Sequence, residues 1–420
     1  VVRADGAGAL MIPLDEHRDR ILAAAAPLTP REHALDDARD LVLASPVSTR
    51  WPVPLFDNSA MDGYAVRAAD AVEGAVLRIV GDVPAGSAED PRFGDGEAVR
   101  IMTGAAVPTD ADAIVPVEHT DLGVFTGAVP PERITITRAP APAAHIRRRG
   151  DDAAAGTVVV DAGALLGPWQ LASIASAGHD SVIAHPAPRA AVISTGSELV
   201  TPGSEPQRGQ IPESNSRLLA AALRDAGAVV VRVGSVPDDE AALRAELEAV
   251  DADLVVLSGG ASVGAFDVVK AVLDVAGSGR GPVRFDAVAM QPGKPQGFGV
   301  ADDGTLLFCL PGNPVSVAVS FEMFVRPAVR ALAGRADRYR PHVTLAAGTS
   351  WRCPPGRVQV LPVVIEDGVV VPASAGGSGS HLVASLAHAT DLAIVPADTE
   401  RVETGDLVDV MLVATEREIP

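Results

Sequence analysis

Apolar positions recur along this chain with periods that change from one stretch to the next. Between Pro13 and Ser45, the residues Leu14, Ile21, Leu22, Leu35, Leu41 and Leu43 stand among charged residues at helix-like spacing, interrupted at Pro27 and Pro30. The spacing predicts two helices. From Trp51 to His145 the pattern shifts to short β-branched runs between turn residues, at 76–80 ahead of Gly81-Asp82, at 99–102 and at 113–117. This predicts a β domain of residues 53–149 inserted into a helical one. After Gly150-Asp151-Asp152 an apolar run at 157–160 leads to a predicted helix near 168–177, so the helical domain is discontinuous, residues 12–52 plus 150–186.

From Ala187 strands and helices alternate: strands at 190–193, 229–233 and 254–257, helices at 215–226, 238–250 and 266–275. Alternation of this kind implies a parallel sheet with right-handed crossovers, hence a three-layer α/β domain over residues 187–334. Strand-like runs at 283–289 and 306–310 follow, the second ahead of a helix opening at Asn313-Pro314. Beyond Gly334 the pattern returns to β, at 343–346, 358–364, 369–371, 393–396 and 407–413, which predicts a small β-barrel over residues 335–420. No internal repeat stands out, and 375–380 is a Gly/Ser loop.

Composition narrows the function classes. With 420 residues, 47% hydrophobic and 21% charged, the chain is long enough for two to four folded domains with a site between them. A formal net charge of -20 argues against a partner that needs a basic footprint, such as nucleic acid or an anionic membrane. Two cysteines are too few for a disulfide scaffold or a zinc cluster and fit a reducing, cytoplasmic setting. No signal peptide and no membrane span is expected.

In a parallel sheet the ligand sits beyond the carboxyl ends of the strands. Three strand-end loops there have unusual content: Ser194-Thr195-Gly196-Ser197-Glu198, Ser258-Gly259-Gly260-Ala261-Ser262-Val263-Gly264 and Pro311-Gly312-Asn313-Pro314. Glycines let backbone N–H groups approach an anion, and Asn313 as N-cap with Pro314 at the first helical position opens a helix facing the same way. One such loop is equally well a tight connection. Three in one domain favour a phosphate-bearing ligand. Asp238 and Asp267 stand at or near predicted helix starts, where a carboxylate favours the dipole; at a phosphate site they could instead hold Mg²⁺. Lys294, between Gly293 and Pro295, suits a phosphate as a point charge, with a solvated surface lysine as the alternative. The string Phe56-Asp57-Asn58-Ser59-Ala60-Met61-Asp62-Gly63-Tyr64-Ala65-Val66 holds more polar chemistry than a turn requires.

That string, taken with Ile101-Met102-Thr103-Gly104-Ala105-Ala106-Val107-Pro108 and Ile146-Arg147-Arg148-Arg149-Gly150-Asp151-Asp152, resembles the molybdopterin molybdenumtransferase family, which includes the C-terminal domain of gephyrin. The strand-end loops match the same family, and the matches run in order from Phe56 to Pro314. The resemblance implies an elongated, L-shaped, four-domain subunit in a homodimer, with the site in a cleft. It implies an enzyme of molybdenum cofactor biosynthesis that takes adenylated molybdopterin and molybdate and releases AMP with Mg²⁺. The family's essential aspartate falls on Asp62 and its threonine on Thr103, with Glu198, Asp238 and Asp267 on the α/β domain. Arg357 and Ser380 match the molybdate positions. Many members carry lysines where this chain has Gln291 and Ala287, and Arg284 could replace the lost charge. Two other readings stay open: a molybdopterin adenylyltransferase, which would consume ATP, and a non-catalytic paralogue that binds pterin or a partner protein. The adenylyltransferase and the acceptor molybdoenzymes are further candidate partners.

Overall fold

The computed structural model describes residues 11–125, 127–259, 268–274, 283–374 and 383–414. Contacts divide the chain into two compact units, the first of residues up to 31, 40–44 and from 184 onward, the second of Glu32–Arg39 and Ser45–Ile183.

Helix α1 (Leu14–Ala24) forms where the periodicity places it, with Asp15 and Glu16 in its first turn, the end at which the helix dipole favours negative charge. It buries Leu14 and Ile21 in one core with Phe321, Phe324 and Val329 of the first unit. The second predicted helix does not form. After Pro27 and Pro30 the chain makes a short strand (Arg31–Ala34), one 3-10 turn (Leu35–Asp37) and a strand at Val42–Leu43 that pairs with His185 and Ala184. Two prolines close together stop helix propagation, and burial of Val42 and Leu43 in a ladder decides the rest. In 150–186 the single helix is α2 (Pro168–Ser176), with Pro168 at its first position, and the remainder is strand and turn. The segments expected to be helical therefore carry one helix each.

The second unit is built on a sheet of β1 (Gly63–Val66), β2 (Val76–Val83), β3 (Glu97–Ile101), β4 (Ala113–Pro116) and β5 (Arg133–Thr135), in the order β4-β1-β3-β2-β5. Only β2 and β3 run parallel. Both faces are covered: Tyr64 and Val66 point into one cluster with Leu77 and Val115, Ala65 into another with Val99 and Ile114. At Gly63 a Cβ would lie 2.1 Å from the Val115 carbonyl oxygen, so the start of β1 can approach β4 only as glycine.

The first unit holds a six-stranded sheet of β6 (Arg189–Thr195), β7 (Val229–Val236), β8 (Leu254–Ser258), β9 (Val283–Ala287), β11 (Pro295–Val300) and β12 (Leu306–Leu310), with the short strand β10 (Met290–Gln291) between β9 and β11. Its order is β7-β6-β8-β12-β11-β9. The first four strands are parallel, as the alternation with helices implies, whereas β11 runs antiparallel to both its neighbours, β12 and β9, so the sheet is mixed. The connection 301–305 is too short for a parallel crossover. Strand β11 carries a proline and two glycines, which hide it from a reading by β-branched runs.

Side chains alternate across this sheet. Ala190, Val192, Val256 and Phe308 pack with α3 (Asn215–Asp225) and with the run α6 (Pro314–Ser320), a π turn (Phe321–Val325) and α7 (Arg326–Leu332). Ala191, Ile193, Val255 and Leu307 pack with α4 (Glu240–Ala249) and α5 (Val268–Leu273). Three layers result from the two-residue period of a strand buried on both faces.

The C-terminal strands β13 (His342–Ala347), β14 (Val358–Glu366), β15 (Val369–Pro372), β16 (Asp391–Val395) and β17 (Leu407–Leu412) run in the order β14-β15-β13-β17-β16, and β16 pairs back to β14. The barrel is closed. Leu361, Val363, Val370, Ala393 and Val410 fill it, and Val360, Leu392 and Met411 turn outward into the core shared with the α/β sheet. Both cysteines are buried free thiols.

Candidate functional site

The strand ends of the first unit lie level. Ser194 pairs with Ser258 and Ser258 with Leu310, so the three glycine-bearing loops leave the sheet side by side. At Gly259 φ is +94°, and a Cβ would sit 2.3 Å from the Thr195 carbonyl oxygen. Only glycine lets these two loops touch. Val236 pairs with Thr195, which brings the loop after β7 alongside. There Asp238 Oδ2 accepts from the Ser197 N–H at 3.0 Å, and the Asp238 N–H donates to Ser197 Oγ at 3.2 Å. Helix α4 starts two residues later than expected, and its N-cap is Asp239, whose carboxylate accepts from the Ala242 N–H at 2.8 Å. Asp238 is thus relieved of capping.

Glu198 is exposed, its carboxylate close against Gly196. Asn313 and Pro314 open α6 as expected, with the Val317 N–H donating to the Asn313 carbonyl. Antiparallel pairing of Gly297 with Cys309 carries Lys294, three residues back, to the level of Gly312, three residues on. Lys294 therefore stands at the same edge. Gly260, Ser262, Gly264, Asp267 and Ser380 lie outside the described residues.

A residue that the sequence pattern does not mark sits under these loops. Glu213 is 5% exposed and accepts from Ser194 Oγ (2.9 Å), from the Ser216 N–H (2.7 Å) and hydroxyl (2.5 Å), and from Arg217 (2.7 Å). Burial alone would raise its carboxyl; the Ser216 donors, the Ser194 hydroxyl and the Arg217 guanidinium outweigh burial and hold it below the ordinary glutamate value. Next to it, Asn215 Nδ2 donates to the Gly312 carbonyl at 2.8 Å. Thr195 Oγ1 and Asn215 Oδ1 are buried without hydrogen-bond partners. The only sequence signal was Ser214-Asn215 at a helix start, which by itself says no more than that a helix begins.

In the second unit the three strings that carry the family resemblance meet. Ser59 and Asn58 pair with Ile146 and Arg147, the Gly104 N–H donates to the Ser59 carbonyl, and the Val107 N–H donates to the Asp57 carbonyl. Asp62 is exposed, and its Oδ1 accepts from both the N–H (2.7 Å) and the hydroxyl (2.8 Å) of Thr103. The predicted pair is therefore in direct contact. Asp57 accepts from the Arg149 N–H (2.8 Å) and from Arg148 (2.6 Å), and these hold its carboxyl below the usual carboxylate range.

Arg357 enters β14 half-buried, with its Nε lacking a hydrogen-bond partner. Gln291 pairs with Gln359 on β14, which places the substituted position beside the barrel strand that Arg357 precedes. Arg284 bonds Asp286 at 2.9 Å, and Asp286 also takes Arg20, so Arg284 is committed to an ion pair on its own strand.

Among the described residues no group of three or more His, Cys, Asp or Glu side chains is gathered as for a metal. Asp238 offers a hard oxygen donor, and Mg²⁺ ordinarily completes its shell with phosphate oxygens and water. A cavity of about 1100 Å³ lies elsewhere in the first unit, lined by Leu14, Arg18, Met323, Tyr339, Val358 and Met411 among others, and none of the loop residues borders it. No helix among the described residues is long and apolar enough to cross a membrane.

Known proteins share this plan. The MoeA N-terminal region (domain I and II) matches residues 12–178, the probable molybdopterin binding domain residues 191–331, and the MoeA C-terminal region (domain IV) residues 344–413. The molybdopterin molybdenumtransferase 2 of Mycobacterium tuberculosis is 43% identical over 411 residues, 95% of this chain and 99% of the relative. The molybdopterin molybdenumtransferase of Haemophilus influenzae is 34% identical over 408 residues, 95% of this chain and 98% of the relative. The crystal structure of the molybdopterin biosynthesis MoeA protein of Pyrococcus horikosii aligns with a TM-score of 0.78 at 30% identity, covering 97% of this chain and 100% of that one. With the three regions matched in order from residue 12 to residue 413 and relatives similar over nearly the whole chain, this protein belongs to the molybdopterin molybdenumtransferase family of enzymes.

Proposed function

We propose that this protein acts in molybdenum cofactor biosynthesis by inserting molybdenum from molybdate into adenylated molybdopterin, with hydrolysis of the adenylate and release of AMP. The observation that carries the reading is the contact between Asp62 and Thr103, two residues far apart in the chain joined by two hydrogen bonds to a single carboxylate oxygen. Thr103 orients the carboxylate and leaves its second oxygen the task of taking a proton from the attacking water. Hydrolysis of the phosphoanhydride puts the water oxygen on one phosphorus, and the bridging oxygen leaves with the other. Most of the rate comes from positioning and charge neutralisation.

The strand-end loops hold the pterin phosphate through backbone N–H groups, and Lys294 adds a point charge at the same edge. Asp238 and Asp267 would hold Mg²⁺ together with phosphate oxygens, and the ion when bound supplies neutralisation of the developing charge. Arg357, with a donor still unpaired, and Ser380 receive the molybdate dianion. The proposed assembly is a homodimer. One observation favours a second reading: Gln291 and Ala287 lack the lysine charge of other members and Arg284 is engaged by Asp286, as in a paralogue that binds pterin without turnover.

AMP release from adenylated molybdopterin with Mg²⁺, measured with and without molybdate, separates the readings. Release that depends on molybdate is expected. Tight binding with no release would give the non-catalytic reading, and consumption of ATP the adenylyltransferase.

A further inference from the structure

We propose that Glu213 is the positioning residue for the ligand-binding loops, a single buried carboxylate that sets the strand ends from which the first two leave, with Asn215 as the arm through which it reaches the third. The inference rests on the reading that these loops bind molybdopterin.

An ionised carboxylate only accepts hydrogen bonds. The Ser194 hydroxyl must therefore spend its proton on Glu213, and the 3.0 Å contact between Ser194 Oγ and Ser258 Oγ must be donated by Ser258. The chain of bonds has one direction, from Ser258 through Ser194 to Glu213, and it fixes the ends of β6 and β8. All three residues are buried, at 1%, 1% and 5% exposure, so water does not compete for these bonds.

The other bonds to Glu213 come from the first turn of α3, through the Ser216 N–H and hydroxyl and the Arg217 guanidinium. They pin the helix start that carries Asn215. Asn215 reaches to the Gly312 carbonyl in the third loop. That bond also fixes the amide, since a flipped group would set oxygen against oxygen. The first loop is thus bonded to Glu213 directly, the second through Ser194, and the third through Asn215 and its chain neighbour Ser216. Arg217 offsets the negative charge this places beneath an anion site.

Neither residue touches the reacting atoms in this scheme, and Asp62 lies in the other unit, so disturbing Glu213 should weaken binding and spare chemistry. The test compares wild type, Glu213→Ala, Glu213→Gln and Asn215→Ala. Molybdopterin affinity is measured at equilibrium, and single-turnover AMP release is measured at saturating adenylated molybdopterin. Glu213→Ala and Asn215→Ala are expected to weaken binding about tenfold or more, with the release rate of the bound complex unchanged. Glu213→Gln keeps an acceptor for Ser194 and the Ser216 N–H, and should restore most of the affinity. Asn215→Ala removes no core packing, so it reports even if Glu213→Ala fails to fold.

Wild-type affinity in Asn215→Ala, or a fall in affinity and rate in equal proportion, would overturn the positioning role while leaving the pterin reading intact. A wild-type protein that does not bind molybdopterin at all would overturn both.

Discussion

Asp62 and Glu213 are carboxylates in different units with opposite surroundings. Asp62 is exposed, and Thr103 occupies one of its oxygens twice. Glu213 is buried, and donors from Ser194, Ser216 and Arg217 occupy both of its oxygens. A carboxylate saturated with donors has no lone pair to offer a passing proton, while one held on a single oxygen does. In the proposed scheme, burial and saturation separate the acid that positions from the acid that takes the proton.

The sharpest way to break this comparison is Asp62→Asn. Turnover should fall by more than about 100-fold, the scale of a lost general base, with molybdopterin affinity within a few fold of wild type. Loss of affinity in step with turnover would assign Asp62 a folding role instead.

Two glycines sharpen the contrast next, because each backbone contact belongs to one unit. Gly63→Ala places a Cβ 2.1 Å from the Val115 carbonyl oxygen, and Gly259→Ala places one 2.3 Å from that of Thr195 at φ +94°. Each should cost about 1–3 kcal/mol in its own unit. Hydrogen exchange followed by mass spectrometry should show faster exchange in β1 and β4 for the first and in β6 and β8 for the second. Pterin affinity should fall only for Gly259→Ala. Equal loss of affinity in both variants would contradict the division of roles.

The smallest effect is expected at Asp57. Its carboxyl is held low first by the Arg149 N–H and then by Arg148, so its contribution is present above the ordinary carboxylate range, near pH 4. It is lost as the pH falls through the lower folded-state value. Both partners are partly exposed, so Arg148→Ala should cost under about 1 kcal/mol at neutral pH. Urea titrations of wild type and Arg148→Ala should differ slightly at pH 7 and converge on the acid side. A gap that widens below pH 4 would refute the assignment.

Legibility followed chain distance. The string from Phe56 to Val66 announces itself because turn, carboxylate and strand are adjacent in sequence, and Thr103 lies in a string equally dense. The second N-terminal helix is absent because the helical spacing of Leu35, Leu41 and Leu43 is undone by two upstream prolines and replaced by the ladder with Ala184 and His185. Strand β11 was hidden by its proline and glycines. Asp238 read as a helix-start acid, yet Asp239 caps α4 and Asp238 ties two loops together. Glu213 gives no sign, since Ser194, which donates to it, and Ser258, which donates to Ser194, lie on two strands distant from it in the chain.

By itself the sequence determined the layers: the two-residue alternation of Ala190 and Val192 against Ala191 and Ile193 assigns the two faces of the sheet, and the glycine-bearing strings mark the carboxyl ends of its strands. These follow from local periodicity, which the backbone imposes on any chain. Only the tertiary structure decided that the sheet is mixed, that Arg284 is spent on Asp286 and that Glu213 is sealed beneath the loops. Whether a polar side chain is exposed or saturated depends on which distant donors reach it, and no local pattern encodes that.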